Sequence, residues 1–256
     1  MNNIQFSHAN GFGLKTYTHF LSFLKPYEVK GVELIGHGQY SVVPNWKPVA
    51  KELIEHIEKN NTAPVIGIGH SLGGAVTLYA AQERPDLFKQ VIFLDPPLFG
   101  GWKRKGMMLM KFLGQLDKVG PSGLAKKRRE FFPTKEEAFK YFSSKKFFDP
   151  FDRECFKNYV EFGLKPSKEH GFELAFSKET EYQVFRELPF IKKEMGLKIP
   201  SHFIYSNQHK VLSPKDIQWL KPALVDTQFI EFDGGHLFPL EQPNKTAQLI
   251  KSLIIK

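Results

Sequence analysis

The stretch Val65-Ile66-Gly67-Ile68-Gly69-His70-Ser71-Leu72-Gly73-Gly74-Ala75-Val76 constrains the fold of this chain more than any other. It reads as a buried strand, a Gly-x-Ser-x-Gly turn and the start of a helix of small residues. A serine on so sharp a strand-to-helix turn is held out of the core in a strained backbone conformation. Gly69 and Gly73, two residues to either side, leave room where strand and helix backbones pass close together. The next backbone N–H, that of Leu72, then points where an oxyanion would form. A glycine-rich phosphate cradle is the competing reading, but no Gly-Lys-Ser/Thr follows, which argues against a P-loop. Pro64 opens an apolar run of strand length, and Ala75–Ala81 reads as a packed helix ending near Arg84-Pro85. This context makes Ser71 the candidate nucleophile.

Strand-like runs alternate with helical patterns along most of the chain. Ile4–Phe6, Gly31–Ile35, the run before Ser71, Gln90–Asp95, Ser201–Ser206 and Gln228–Phe232 read as strands. Helices are expected over about Lys15–Leu24, stopped by Pro26, and over Lys245–Ile255. Another is capped by Asn45 and carries Val49, Leu53, Ile54 and Ile57 at helical spacing. Such alternation implies an α/β chain with a mostly parallel central sheet, right-handed crossovers and flanking helices.

Residues 99–196 break the alternation. They hold 15 of the 25 phenylalanines, four of the five methionines, and 21 Lys and Arg against 14 Asp and Glu. Seven of the nine net positive charges therefore fall there. Apolar residues such as Met107–Met110 and Phe112 follow helical spacing. The segment is expected to be an inserted helical cap (lid) over the carboxyl edge of the sheet, with residues 1–98 and 197–256 forming the core domain. A small insert needs large apolar side chains for its own core. Some should also face Ser71 as an apolar pocket, since pockets favour domain interfaces.

Composition narrows the function classes. One cysteine, Cys155, excludes an intrachain disulfide framework, and no metal site or cofactor motif is evident. No apolar run approaches the roughly 20 residues of a membrane span, and no leader pattern opens the chain, so the expected compartment is the cytoplasm. Thirty lysines accompany only six arginines, which argues against sequence-reading of nucleic acid, where bidentate arginine dominates. Lys126-Lys127-Arg128-Arg129 reads as a solvated helix face, with an anionic surface as the less favoured alternative.

A serine nucleophile needs a base within hydrogen-bond reach. His236 is the best placed of nine histidines, because it follows the last expected strand on the Gly234-Gly235 loop, at the same sheet edge as Ser71. His8 and His37 also end strands; the Gly36-His37-Gly38 turn reads as structural, and His70 as a packing residue.

With Asn10-Gly11-Phe12, Gly36-His37-Gly38, Gly69–Gly73 and Gly235-His236 in view, the whole chain resembles the α/β-hydrolases. The resemblance implies a Ser-His-Asp/Glu triad, a cap between the sixth and seventh family strands, and the backbone N–H of Phe12 as second oxyanion donor beside Leu72. Many members carry histidine where Asn10 stands. The chain opens at what would be the third family strand, trimming the sheet to about six strands. The family's usual acid position falls within Tyr205–Leu212, where this chain has His209, or Lys210 one residue on. Asp95, at the end of the sixth family strand, is the replacement candidate; some relatives, including one haloalkane dehalogenase branch, place the acid there. A turn-capping role before Pro96 is its alternative, and Asp233 and Glu241 are second choices. Asn10, His70 and His209 are expected near the site.

The expected function is a serine hydrolase, a carboxylesterase cleaving small-molecule esters with apolar acyl or alkyl groups. Thioesterase, lactonase, perhydrolase and lyase chemistry would use the same residues. The basic cap would also suit an acidic acyl-carrier partner. A non-catalytic ligand-binding relative is the alternative from another class.

Overall fold

The computed structural model describes residues 3–43, 45–61, 64–187, 189, 196–208 and 211–255. In chain order its elements are β1 (Asn3–Ser7), α1 (Thr18–Ser22), β2 (Glu28–Lys30), α2 (Lys47–Asn60), β3 (Val65–His70), α3 (Leu72–Glu83) and β4 (Phe88–Leu94). The long connection that follows holds α4 (Gly101–Phe112), α5 (Leu116–Val119), α6 (Ser122–Lys126), β5 (Phe131–Phe132), α7 (Lys135–Ser143), α8 (Arg153–Phe162), β6 (Leu164–Ser167), β7 (Gly171–Leu174) and α9 (Lys178–Arg186). The chain then returns through β8 (Ser201–Ser206), α10 (Pro214–Ala223), β9 (Thr227–Phe232), α11 (Phe238–Glu241) and α12 (Pro243–Leu253).

Six strands pair in parallel in the order β2-β1-β3-β4-β8-β9, the α/β sheet that the alternation implied. Successive strand residues point to opposite faces. Val65, Val91, Phe93 and Phe203 enter one core with residues of α2, α3 and α10. Ile66, Ile68, Ile92, Leu94 and Ile204 enter the other with residues of α1 and α12. The second core continues into the insertion through Phe132, Phe142 and Tyr159. Among the described residues no helix is long and apolar enough to cross a membrane.

Helix α3 lies against the sheet so closely that only glycine fits at its start. A Cβ on Gly73 would stand 2.1 Å from the carbonyl oxygen of Ser7, and one on Gly69 2.3 Å from that of Gly73. Helix α2 covers α3 with Val49, Leu53, Ile54 and Ile57, all buried at the spacing read from sequence.

Several local expectations are corrected. Gly31–Ile35 is not a strand; β2 lies just upstream, and at Gly31 a Cβ would stand 2.3 Å from the Phe6 carbonyl. The polar groups of 31–35 bond elsewhere, Glu33 O accepting from Leu14 N and Ile35 N donating to His8 Nε2. The expected helix over Lys15–Leu24 is a 3₁₀ turn at Leu14–Tyr17 followed by the short α1. Asn45 does not cap α2; Trp46 stands at its N-cap, and both have left-handed backbones (φ 51° and 62°). They are held from the insertion instead, Asn45 N donating to Glu187 Oε2 and Trp46 Nε1 to Val184 O.

The insertion is not wholly helical. β5, β7 and β6 form an antiparallel sheet whose hairpin turns at Gly171 (φ 81°). Nor is Lys126–Arg129 one solvated face: Arg128 turns inward to Glu181 and the Tyr159 hydroxyl. Two buried acceptors hold its guanidinium there, while Lys127 stays in water.

The glycine contacts make a paired prediction. Gly73→Ala should destabilise the chain by about 3 kcal/mol or more, since backbone cannot give way as a side chain does. Gly106→Ala, in α4 with no atom within 4 Å of the new Cβ, should be neutral or stabilise by about 1 kcal/mol. Urea unfolding of both variants checks this.

Candidate active site

The register of β3 and β4 sets His70 opposite Leu94, so Ser71 and Asp95 leave the sheet side by side. Both adopt left-handed backbones, φ 53° at Ser71 and 46° at Asp95. Neither is glycine, so both conformations are strained and persist because the neighbouring strands over-determine them. Ser71 N donates to Leu94 O at 2.9 Å and Asp95 N to Ile204 O at 2.8 Å. Each residue is thus hooked to the adjacent strand as it turns out.

His236 arrives from the loop after β9. Its Nδ1–H donates to Asp95 Oδ2 at 2.7 Å, and its Nε2 lies 3.1 Å from Ser71 Oγ. With the Nδ1 proton engaged, Nε2 is free to accept from the hydroxyl. Asp95 is 1% exposed, and its other oxygen accepts from Ser206 N at 3.3 Å. The sequence-derived trio therefore meets in one hydrogen-bonded line at the carboxyl edge of the sheet, where open α/β sheets carry their sites. The second-choice acids do not reach His236. Asp233 is exposed and engaged by Asn207 and Lys245, while Glu241 accepts the Gly235 N–H. His209 lies outside the described residues.

The two expected oxyanion donors differ. Leu72 opens α3, so its N–H has no acceptor one turn earlier in the helix. Phe12 N–H reaches Ala9 O at 3.3 Å, a long contact that a developing oxyanion would have to outcompete. The Phe12 ring packs against Tyr159 and Phe151 of the insertion. Asn10 is buried and donates from Nδ2 to Glu181 O at 3.1 Å. Its Oδ1 is buried and has no partner among the described residues. Glu181 in turn holds Arg128, whose guanidinium lies beside Gly11. The insertion therefore clamps the Asn10–Phe12 loop with a buried ion pair. Burial pushes the Tyr159 hydroxyl up to about 12, against the neighbouring Arg128 charge, which lowers it.

His70 does more than pack. Its Nδ1 accepts from the Tyr17 hydroxyl at 2.7 Å, and its Nε2–H donates to the backbone carbonyl of His236 at 2.9 Å. The Tyr17 oxygen also accepts from Ala9 N at 3.3 Å. One chain of hydrogen bonds thus joins the Ala9–Phe12 loop to the loop bearing His236. Burial foremost, then the nearby His236, holds His70 down to about 3, against the carbonyl bond that raises it. It stays neutral, as this bonding pattern requires. Tyr17 was missed in sequence because nothing in its spacing connects it to residues 53 and 219 positions away.

Among the described residues no cluster of three or more His, Cys, Asp or Glu converges to hold a metal ion. Fold and site together define an α/β hydrolase: residues 6–249 match the model of the Alpha/beta hydrolase family, and the chain belongs to it. Lipase LipV of Mycobacterium tuberculosis is 24% identical over 225 residues, 86% of this chain and 80% of LipV. Monoglyceride lipase of Rattus norvegicus is 31% identical over 100 residues, 35% of this chain and 33% of that enzyme. The match thus spans only about a third of the monoglyceride lipase's length. Among solved structures, a thioesterase domain from the curacin biosynthetic pathway superposes with a TM-score of 0.75 at 17% identity. The match covers 98% of this chain and 91% of that domain. A marine microorganism esterase gives 0.70 at 18% identity, over 99% and 95% of the two chains.

Two predictions follow from the Tyr17–His70 link. Tyr17→Phe leaves Ala9 N–H and His70 Nδ1 unpaired in the interior and should cost about 1–3 kcal/mol in urea unfolding. The unfolded chain protonates His70 near 6.5 and the folded one only near 3. The unfolded state therefore binds more protons between those values. Stability is full above about 6.5 and falls as pH drops, by at most about 1.4 kcal/mol per pH unit for this group. His8, buried and held down to about 4, acts in the same direction. The acid slope of unfolding free energy, measured from pH 6.5 to 4.5, should be visibly shallower in His70→Gln.

Proposed function

We propose that this chain is a serine hydrolase that cleaves small-molecule carboxylic esters with apolar acyl or alkyl groups. The observation that carries the reading is the Ser71–His236–Asp95 line of hydrogen bonds, with Ser71 still 9% exposed. Ser71 Oγ attacks the ester carbonyl carbon while His236 Nε2 takes its proton. Asp95 keeps the imidazole in the required tautomer and stabilises it once charged. The Leu72 N–H, joined by that of Phe12, stabilises the developing oxyanion. Collapse expels the alcohol, which receives the proton from His236 Nε2. Water, deprotonated by the same nitrogen, then attacks the acyl-Ser71 carbonyl, and the carboxylic acid leaves as Ser71 recovers its proton.

Two considerations support an oxygen ester with an apolar group. The relatives matched by sequence are named as lipases. The insertion over the site is rich in aromatic side chains, Phe148, Phe151 and Tyr159 packing against one another and toward Phe12. A carrier-linked thioester is the second substrate class, favoured by the basic character of the insertion.

A fluorophosphonate probe should label Ser71 at neutral pH, and Ser71→Ala should abolish the adduct. No adduct on the wild-type chain would favour a non-catalytic binding protein. Turnover of nitrophenyl esters should fall by about three orders of magnitude or more in Ser71→Ala and His236→Ala, and about 10³–10⁴-fold in Asp95→Asn. Asp95→Asn should leave the urea midpoint little changed; near-normal turnover in that variant would remove Asp95 from the mechanism.

A further inference from the structure

Helix α4 keeps Met107 and Met110 partly buried but turns its largest apolar side chains away from the protein. At about 100° per residue, Trp102, Leu109 and Leu113 fall within an arc of about 40°, with Phe112 beside them. That face is in water: Trp102 is 84% exposed, Phe112 86%, and Leu109 and Leu113 more than half. The opposite face carries the ion pairs that tie α4 down, Lys103 Nζ to Asp216 Oδ2 and Lys111 Nζ to Glu187 Oε1, each 2.7 Å. None of the residues of α4 is buried. Single exposed apolar side chains are ordinary, but Trp102 and Phe112 alone leave roughly 350 Å² of ring surface in water on one stripe. The ion pairs and partly buried methionines hold the helix in place, but nothing among the described residues covers this stripe.

The charge around the stripe identifies what covers it. Residues 101–127 hold seven Lys and Arg against one acidic residue, Asp117. Six of the seven are lysines, including the exposed Lys105, Lys118, Lys126 and Lys127. Lys105 Nζ lies 4.4 Å from the Trp102 ring, so a cation sits directly beside the apolar stripe. On α6, which packs on α5, Leu124 is a further protruding apolar residue at 76% exposure. A second copy of the chain would bring like charges together. Protein interfaces favour arginine, whose fork grips carboxylates, and are depleted in lysine. Lysines as mobile point charges around Trp, Phe and Leu suit the diffuse negative field of a lipid surface with an apolar layer beneath it.

We propose that the α4–α6 face docks on an anionic lipid surface, with Trp102, Leu109, Phe112 and Leu113 entering the headgroup–acyl boundary. The lysines bind the headgroups. The docking needs no chemistry at Ser71, and it is read by binding alone. It brings a lipid surface to the segment that leaves β4 six residues after Asp95, beside the carboxyl edge of the sheet.

The test is cosedimentation of the full chain with phosphatidylcholine vesicles, with and without phosphatidylglycerol, at low and high salt. The wild-type chain should pellet with the anionic vesicles, bind neutral ones far less, and lose binding about tenfold or more in high salt. A Trp102→Ser/Phe112→Ser variant should bind anionic vesicles about tenfold or more weakly with an unchanged melting temperature, because neither residue is buried. Trp102→Phe should retain binding but lose the blue shift of tryptophan emission that accompanies it. Equal sedimentation of wild type and the double serine variant would overturn the proposal, as would no sedimentation with anionic vesicles at low salt. Capture of an acidic acyl-carrier protein through the same side chains, without vesicle binding, would assign the face to that partner. Self-association abolished by the serine substitutions, again without vesicle binding, would assign it to a second copy.

Discussion

The site depends on a backbone-to-backbone contact. Where β3 becomes α3, Gly69 and Gly73 stand so close that no Cβ fits, and Gly73 also presses on Ser7 of β1. Gly73 N donates to His8 O at 3.1 Å across the same contact. The helix can therefore start only one residue beyond the strand, and Ser71 is driven into a left-handed conformation that lifts its side chain off the sheet. Parallel pairing extends the effect sideways. Because His70 pairs with Leu94, the residue after β4 leaves the sheet level with the residue after β3, and Asp95 likewise takes a positive φ.

A second layer of polar contacts holds what the sheet alone does not. His236 is a loop residue, and loops are mobile unless tied down. Its carbonyl is held by His70, its imidazole by Asp95, and the hydroxyl of Tyr17 carries the connection on to Ala9. Each link uses one donor and one acceptor, so the chain works only with His70 neutral, which its burial ensures. The insertion adds its own fastening through Asn10 to Glu181 and through the Glu181–Arg128 ion pair. A buried pair of this kind contributes little net stability, but removing either partner strands a charge, so it favours one arrangement of the loop.

Much of this was legible in sequence. Short apolar runs of strand length marked β1, β3, β4, β8 and β9 to within two or three residues, because a parallel strand buried on both faces is apolar nearly throughout. The Gly-x-Ser-x-Gly turn and the Gly-Gly-His loop stood out because their geometry admits few residues. Asp95 could be singled out once Tyr205–Leu212 offered no acid. Where sequence reading went astray, distant contacts had overridden local preference. Gly31–Ile35 looks like a strand, yet its backbone bonds to Leu14 and His8. Asn45 looks like a cap, yet the insertion engages it through Glu187. Phe131-Phe132 and Phe172–Leu174 lie in a segment of helical texture but pair as strands.

By itself the sequence determined the parallel α/β framework and which serine and histidine stand at its carboxyl edge. Those features follow from short-range rules: alternation of apolar strand-length runs with helical patterns, steric demands at glycine, and the order of strands along the chain. Only the tertiary structure decided that Asp95 rather than Asp233 or Glu241 meets His236, that Tyr17 and His70 join two loops, and that Arg128 turns inward while Trp102 and Phe112 turn out. Apart from the Ala9–Tyr17 bond, the contacts behind those outcomes join partners 31 to 166 positions apart, and which residues become neighbours at such separations is settled by how the layers pack, not by local pattern.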